Sequence, residues 1–149
     1  MRPSPFVRWT AWAWALAALA GCARPPEEAQ LREALAEIEA GVEDRSPGAI
    51  AEHLAEDFVG PAGMDKTRAQ AYAGALLWRH QGVSVVWKLR SLELNEGRAR
   101  TRLTAALTGR GTLSAFDGRT KSMDVDLGWR KDEGEWKVVH AQWVGTWEP

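Results

Sequence analysis

The apolar residues change period at Val83, and that switch bounds the folds open to this chain. Upstream, Leu31, Leu35, Ile38 and Val42 recur at helical spacing, which predicts a first helix over about residues 27 to 44. Ser46-Pro47 reads as an N-cap followed by a proline at the first helical position, opening a short second helix that buries Ile50, Leu54 and Phe58. After the Val59-Gly60-Pro61-Ala62-Gly63 loop, Asp65 caps a third helix through Arg79, with Ala69, Tyr72, Ala73, Leu76 and Leu77 inward and Gly82 ending it. Downstream of Val83 the period is two. Helices first and strands after predict an α+β fold and argue against alternating βαβ units.

Strand pairing follows from matching apolar faces. Placing Leu94 opposite Arg98 across the Asn95-Glu96-Gly97 turn sets Leu89 against Leu103 and Val85 against Leu107. Leu92 and Leu94 then fall on the wrong face, so a bulge is expected near Arg90-Ser91. A second hairpin tip at Phe116-Asp117-Gly118-Arg119 sets Leu113 near Met123 and Leu107 near Trp129. A third, at Lys131 to Gly134, sets Trp129 against Trp136 and Leu127 against Val138. The expectation is a bent four-stranded antiparallel sheet with one common buried face, which a one-residue slip would destroy.

That order of elements resembles the nuclear transport factor 2-like superfamily (SnoaL-like, ketosteroid-isomerase-like), over roughly residues 30 to 143. Two stretches carry the resemblance: His53-Leu54-Ala55-Glu56-Asp57-Phe58, leaving the second helix, and the terminal hairpin from Gly128-Trp129 to Gln142-Trp143. It implies a cone-shaped, cystatin-like α+β fold with three helices packed on the sheet. The superfamily hosts isomerases, dehydratases, transport factors and envelope domains, so fold does not fix activity.

A different segment speaks to location. Arg2 and Arg8 precede an apolar run from Trp9 to Ala20, shorter than the ~20 residues that span a bilayer, and Leu19-Ala20-Gly21-Cys22 follows. The tetrapeptide resembles the lipobox of bacterial lipoproteins, and Cys22 is the sole cysteine. The expected organisation is a signal peptide over residues 1 to 21, a lipidated tether over 22 to 29 stiffened by Pro25-Pro26, and one domain over 30 to 149. Acylation would place the protein on the cell envelope without spanning it. Ala23, where an Asp would resemble the inner-membrane retention signal, points to the periplasmic side of the outer membrane in a two-membrane host. Cleavage removes two arginines and no acid, moving the net charge from -1 to -3, a balance that predicts no nucleic-acid binding. With Cys22 acylated, no thiol remains for a disulfide or a thiolate metal site.

The chemistry-bearing residues are few. Steroid isomerases of the resembled superfamily use a carboxylate base with a phenol and a neutral carboxylic acid inside an apolar cone. Here the first helix has no tyrosine, the 59–64 loop has no carboxylate, and Val125 and Leu127 occupy the inward positions of the third strand. The dehydratases use His and Asp, which directs attention to His140, predicted on the apolar face opposite Val125 and near Tyr72. His80 reads as a helix C-terminal group, and His53 with Asp57 as an i,i+4 pair on the short helix. No metal set and no cofactor motif emerge.

Trp87, Trp129 and Trp136, with His140 and Tyr72, form the candidate ligand pocket, while Trp143 and Trp147 come late enough to rim an opening or meet a partner. Lys88, Arg90, Arg98, Arg100 and Arg102 form an outward basic stripe, with Arg98, Arg100 and Arg102 the candidates for anionic polymer or lipid headgroups. Asp124 and Asp126 share its parity, with Arg110 expected across from Asp126. The sequence reading favours a lipid-anchored, non-catalytic domain that binds a small apolar molecule or an envelope protein. Its alternative is a cofactor-independent isomerase or dehydratase using His140 with Tyr72 as donor. Homodimerisation through the outer sheet face is implied by the resemblance alone.

Overall fold

The computed structural model describes residues 26–79, 83–109 and 121–145. Cys22, His80, Arg110, Leu113, the 116–119 hairpin tip and Trp147 lie outside them. The elements are α1 (Glu27–Glu43), α2 (Pro47–Glu52), β1 (Leu54–Val59), a 3-10 turn (Pro61–Gly63), α3 (Lys66–Arg79), β2 (Val83–Asn95), β3 (Arg98–Gly109), β4 (Lys121–Asp132) and β5 (Glu135–Gly145). They form one five-stranded sheet in the order β1-β5-β4-β3-β2, with the helices on its inner face.

The helices end where local chemistry ends them. In α1, Leu31, Ala34, Leu35 and Ile38 make one buried stripe, and Glu27 and Glu28 sit in the first turn, where the helix dipole favours acids. Its C-terminus closes as a Schellman motif: Ser46 N–H donates to the Gly41 carbonyl at 2.8 Å and Arg45 N–H to that of Val42 at 3.1 Å. Arg45 takes the left-handed φ of 56° that usually calls for glycine. Ser46 then serves a second helix, its Oγ accepting from Ala49 N–H at 3.3 Å to cap α2 ahead of Pro47. Asp65 Oδ1 likewise accepts from Arg68 N–H at 2.8 Å at the start of α3.

The expected second helix through Phe58 is corrected to α2 followed by β1. Residues 51–58 are good helix formers, but the outer edge of β5 presents unpaired peptide groups, and satisfying them decides the conformation. Val138 N–H donates to the His53 carbonyl at 2.8 Å, and β1 runs parallel to β5 with Leu54 beside Val138. Among the described residues the sheet therefore has five strands with one parallel pairing, and Ala55 and Phe58 are buried from a strand. His53 and Asp57 consequently do not share a helix.

The β2–β3 hairpin has the expected pairs Leu89 with Leu103 and Val85 with Leu107, and the expected bulge between Leu89 and Ser91. The bulge absorbs one residue, so Leu94 faces Ala99 in place of Arg98. The β3–β4 register is corrected by eight residues, since Leu107 pairs with Lys121 and Ala99 with Trp129. The described β3–β4 ladder runs to the Leu107–Lys121 pair, and an even shift keeps the same face buried. In β4–β5, the tight turn at Glu133-Gly134, both at positive φ, sets Trp129 opposite Val138 and Lys131 opposite Trp136. The expected Trp129–Trp136 pair is therefore not made.

An irregularity in that last hairpin matters most. The register shifts between Gly128 and Trp129, so Val138 faces Trp129 while His140 faces Gly128. One extra residue in β5 reverses the parity of everything after it. His140 turns outward and is exposed, and Ala141 and Trp143 turn inward. The expected His140–Val125 pairing is replaced by Trp143 with Val125.

Candidate functional site: an apolar cavity in the cone

The inner sheet face and the three helices line a partly open cavity of about 240 Å³. Ile38 and Val42 of α1, Ile50 of α2 and Phe58 of β1 close one side. Ala73, Leu76 and Leu77 of α3 close another. The floor is Trp87, Ala105, Val125, Leu127, Val138 and Ala141, and the small residues Ala105 and Ala141 leave the space that larger ones would fill. A dry apolar cavity of ~150 Å³ takes up benzene, while drug-sized ligands occupy ~300–1,000 Å³. The volume thus fits one ring or two small fused rings.

Its rim is aromatic. Tyr72 of α3 and Trp143 of β5 stack with centroids 6.4 Å apart and planes inclined by 22°. Apart from the tryptophans, Gln70 and Tyr72 are the lining residues that carry a polar side-chain group, and among the described residues no Asp, Glu or His lines the cavity. Trp87 carries a buried Nε1–H with no partner among the described residues. No group of three or more His, Cys, Asp or Glu is placed to hold a metal ion among them either.

The predicted site residues thus separate. Tyr72 and Trp87 line the cavity, joined by Trp143, which was expected to rim an opening or meet a partner. Trp129 and Trp136 do not: both are core side chains, 1% and 4% exposed. Trp129 Nε1–H donates to Thr101 Oγ1 at 2.9 Å, and Lys131 Nζ stands 5.5 Å from the Trp136 ring centroid. His140 lies on the other face of the sheet, so the pairing of His140 with Tyr72 across the cone is overturned by the β5 irregularity.

Within the outward stripe Arg100 and Arg102 are engaged by Asp126, whereas Arg98 is exposed and enters no ion pair among the described residues. Arg100 Nε donates to Asp126 Oδ1 at 2.9 Å, and Arg102 Nε lies 3.6 Å from Asp126 Oδ2. The Arg100 hydrogen bond holds the Asp126 carboxyl below its usual pKa. Asp126, expected to face Arg110, is instead directly opposite Arg102. His53 Nε2 approaches Glu37 at 3.4 Å, and Asp57 pairs with Arg130.

No protein-family model matches the sequence, and no curated protein matches it. Solved structures do. A protein of Novosphingobium aromaticivorans provisionally named a scytalone dehydratase superposes with a TM-score of 0.70 at 14% identity, over 81% of this chain and 85% of its own. A nuclear transport factor 2-like protein of unknown function from Pseudomonas putida gives 0.63 at 18% identity, over 82% and 96%. A cystatin-like domain of unknown function from Nostoc punctiforme gives 0.67 at 11% identity, over 84% and 80%. With helices on the concave side of a bent sheet and a cavity between them, the chain has the nuclear transport factor 2-like fold.

Proposed function

We propose that this is a lipid-anchored domain of the bacterial cell envelope that binds a small apolar molecule in its cone without transforming it. The observation that carries the reading is the wall of the cavity, where apolar and aromatic side chains converge on a one- to two-ring volume and, among the described residues, no acid or imidazole stands to move a proton. An isomerase or dehydratase acting through His140 loses its support, because that imidazole is on the opposite side of the sheet.

Binding is tested with 2-naphthol as a fluorescent probe on the purified chain. Saturable one-to-one binding, lost in Ala73→Leu and Ala105→Phe, is the expected result; uptake that never saturates, or that both variants retain, would sink the cavity reading. Anchoring is tested separately by labelling cells with a palmitate analogue. Incorporation into the wild type and not into Cys22→Ser supports the envelope placement, and an unlabelled wild-type protein overturns it.

A further inference from the structure

The outer face of α3 sets cationic side chains beside aromatic ones. Within Lys66–Arg79 there are three basic residues and no acid. Lys66 is held by Glu56 at 2.6 Å, whereas among the described residues neither Arg68 nor Arg79 enters an ion pair through its side chain. Arg68, Ala71, Tyr72, Ala75, Trp78 and Arg79 follow the i, i+3, i+4, i+7 spacing that keeps them on one stripe, and all six are exposed. Trp78 is 81% exposed, the most of any large apolar side chain described.

We infer that this stripe docks α3 flat on a bilayer surface bearing anionic headgroups. Trp and Tyr are the side chains that settle at the level of lipid headgroups, and unpaired arginines beside them supply attraction to acidic lipid. Ala71 and Ala75 between them let the helix axis approach closely. A protein partner is the poorer fit. A fourteen-residue helix is about 21 Å long, so a stripe about 10 Å wide offers roughly 200 Å², against ~800 Å² per partner in a stable interface. The cavity wall is the other side of the same helix, through Ala73, Leu76 and Leu77, with Tyr72 at the boundary, part exposed on the stripe and part lining the cavity. A single helix therefore separates the headgroup layer from the apolar cone. This inference stands on the stripe and needs neither an acyl chain nor a ligand.

The test places an environment-sensitive nitrobenzoxadiazole label on the full chain in a Cys22→Ser background, which leaves one introduced thiol. The label goes at Ala75→Cys on the stripe, or at Gln142→Cys on the outer sheet face as the comparison site. With vesicles of phosphatidylglycerol and phosphatidylcholine, emission at position 75 shifts to the blue and that at position 142 does not. Adding Arg68→Gln and Arg79→Gln weakens the partition reported at position 75 about thirtyfold, the equivalent of ~1 kcal/mol for each arginine at an acidic surface. Trp78→Ala also weakens it. No shift at position 75, or equal shifts at both positions, overturns the inference, since adsorption through the apolar N-terminal run would not select a face. An equal response to pure phosphatidylcholine overturns it as well.

Discussion

Arg130 on β4 reaches across β5 to grip Asp57 on β1, with Nη1 to Oδ2 and Nη2 to Oδ1 both at 2.9 Å, while its Nε holds Asp132 at 2.6 Å. The pair ties down the one strand the sheet adds in parallel, and it does so on the solvent side. Hydrogen bonding to Arg130 holds the carboxyls of Asp57 and Asp132 below their usual pKa. A depressed folded-state pKa adds stability that is fully present above the unfolded value near 4 and is lost as pH falls through the folded one. Arg130→Met is therefore expected to lower the melting temperature at pH 7 and to approach wild type as the pH falls below the usual carboxylate range. Because Asp57 is exposed and Arg130 and Asp132 are only half-buried, 1 M salt should shrink the pH 7 difference. Thermal melts across pH and salt check this, and a constant offset at every pH would refute it.

A buried pair gives a sharper number. Thr101 is fully buried, and its hydroxyl accepts the Trp129 indole N–H, which is also sealed from water. Thr101→Val keeps the shape and removes the acceptor. The orphaned donor then costs its desolvation, ~1–3 kcal/mol, which urea unfolding should read as a lower midpoint with unchanged slope. Trp129→Phe leaves the threonine hydroxyl in the same predicament and enlarges the hole, so it should cost more.

The helices α1 and α3, the β2–β3 pairing and its bulge were legible because each is written locally, in period, caps and turn residues. Leu54 to Phe58 were misread as helix because their conformation is set by the edge of β5, some eighty residues away. The cavity was legible only in part. Tyr72 and Trp87 were found from face parity, which the bulge in β2 left intact at Trp87. His140 left the inner face and Trp143 joined it because a single extra residue in β5 reversed parity after Val138, and nothing in Val138-Val139-His140 marks that residue. Trp129 and Trp136 have the correct parity and still do not reach the cavity, since parity fixes a face and not the depth along the cone.

Arg45 carries two opposing terms that mutation can separate. Its left-handed backbone is strained, while its Nη2 donates to the Leu77 carbonyl at 2.7 Å and joins the ends of α1 and α3. Arg45→Ala keeps the strain and loses the bond, so it should cost ~1–2 kcal/mol. Arg45→Gly loses the same bond and relieves ~1 kcal/mol of backbone strain, leaving it closer to neutral. Urea midpoints should therefore fall in the order wild type, glycine, alanine. Alanine at or above glycine would show that the Schellman geometry carries no strain at Arg45.

The rim and the outward histidine make the last comparison, because the two readings of the chain predict opposite outcomes. Trp143 stacks on Tyr72 at the cavity edge, so Trp143→Ala removes one aromatic wall and frees the other. An aromatic pair contributes ~0.5–1.5 kcal/mol beyond its buried area, which predicts about a tenfold loss of 2-naphthol affinity. His140→Ala touches neither wall nor rim and sits exposed against Gly128, so affinity should stay unchanged and stability should move by no more than ~0.5 kcal/mol. Fluorescence titration of both variants decides between them. Were His140→Ala to weaken the probe while Trp143→Ala did not, β5 would have to run in the opposite parity, with the imidazole inside the cone.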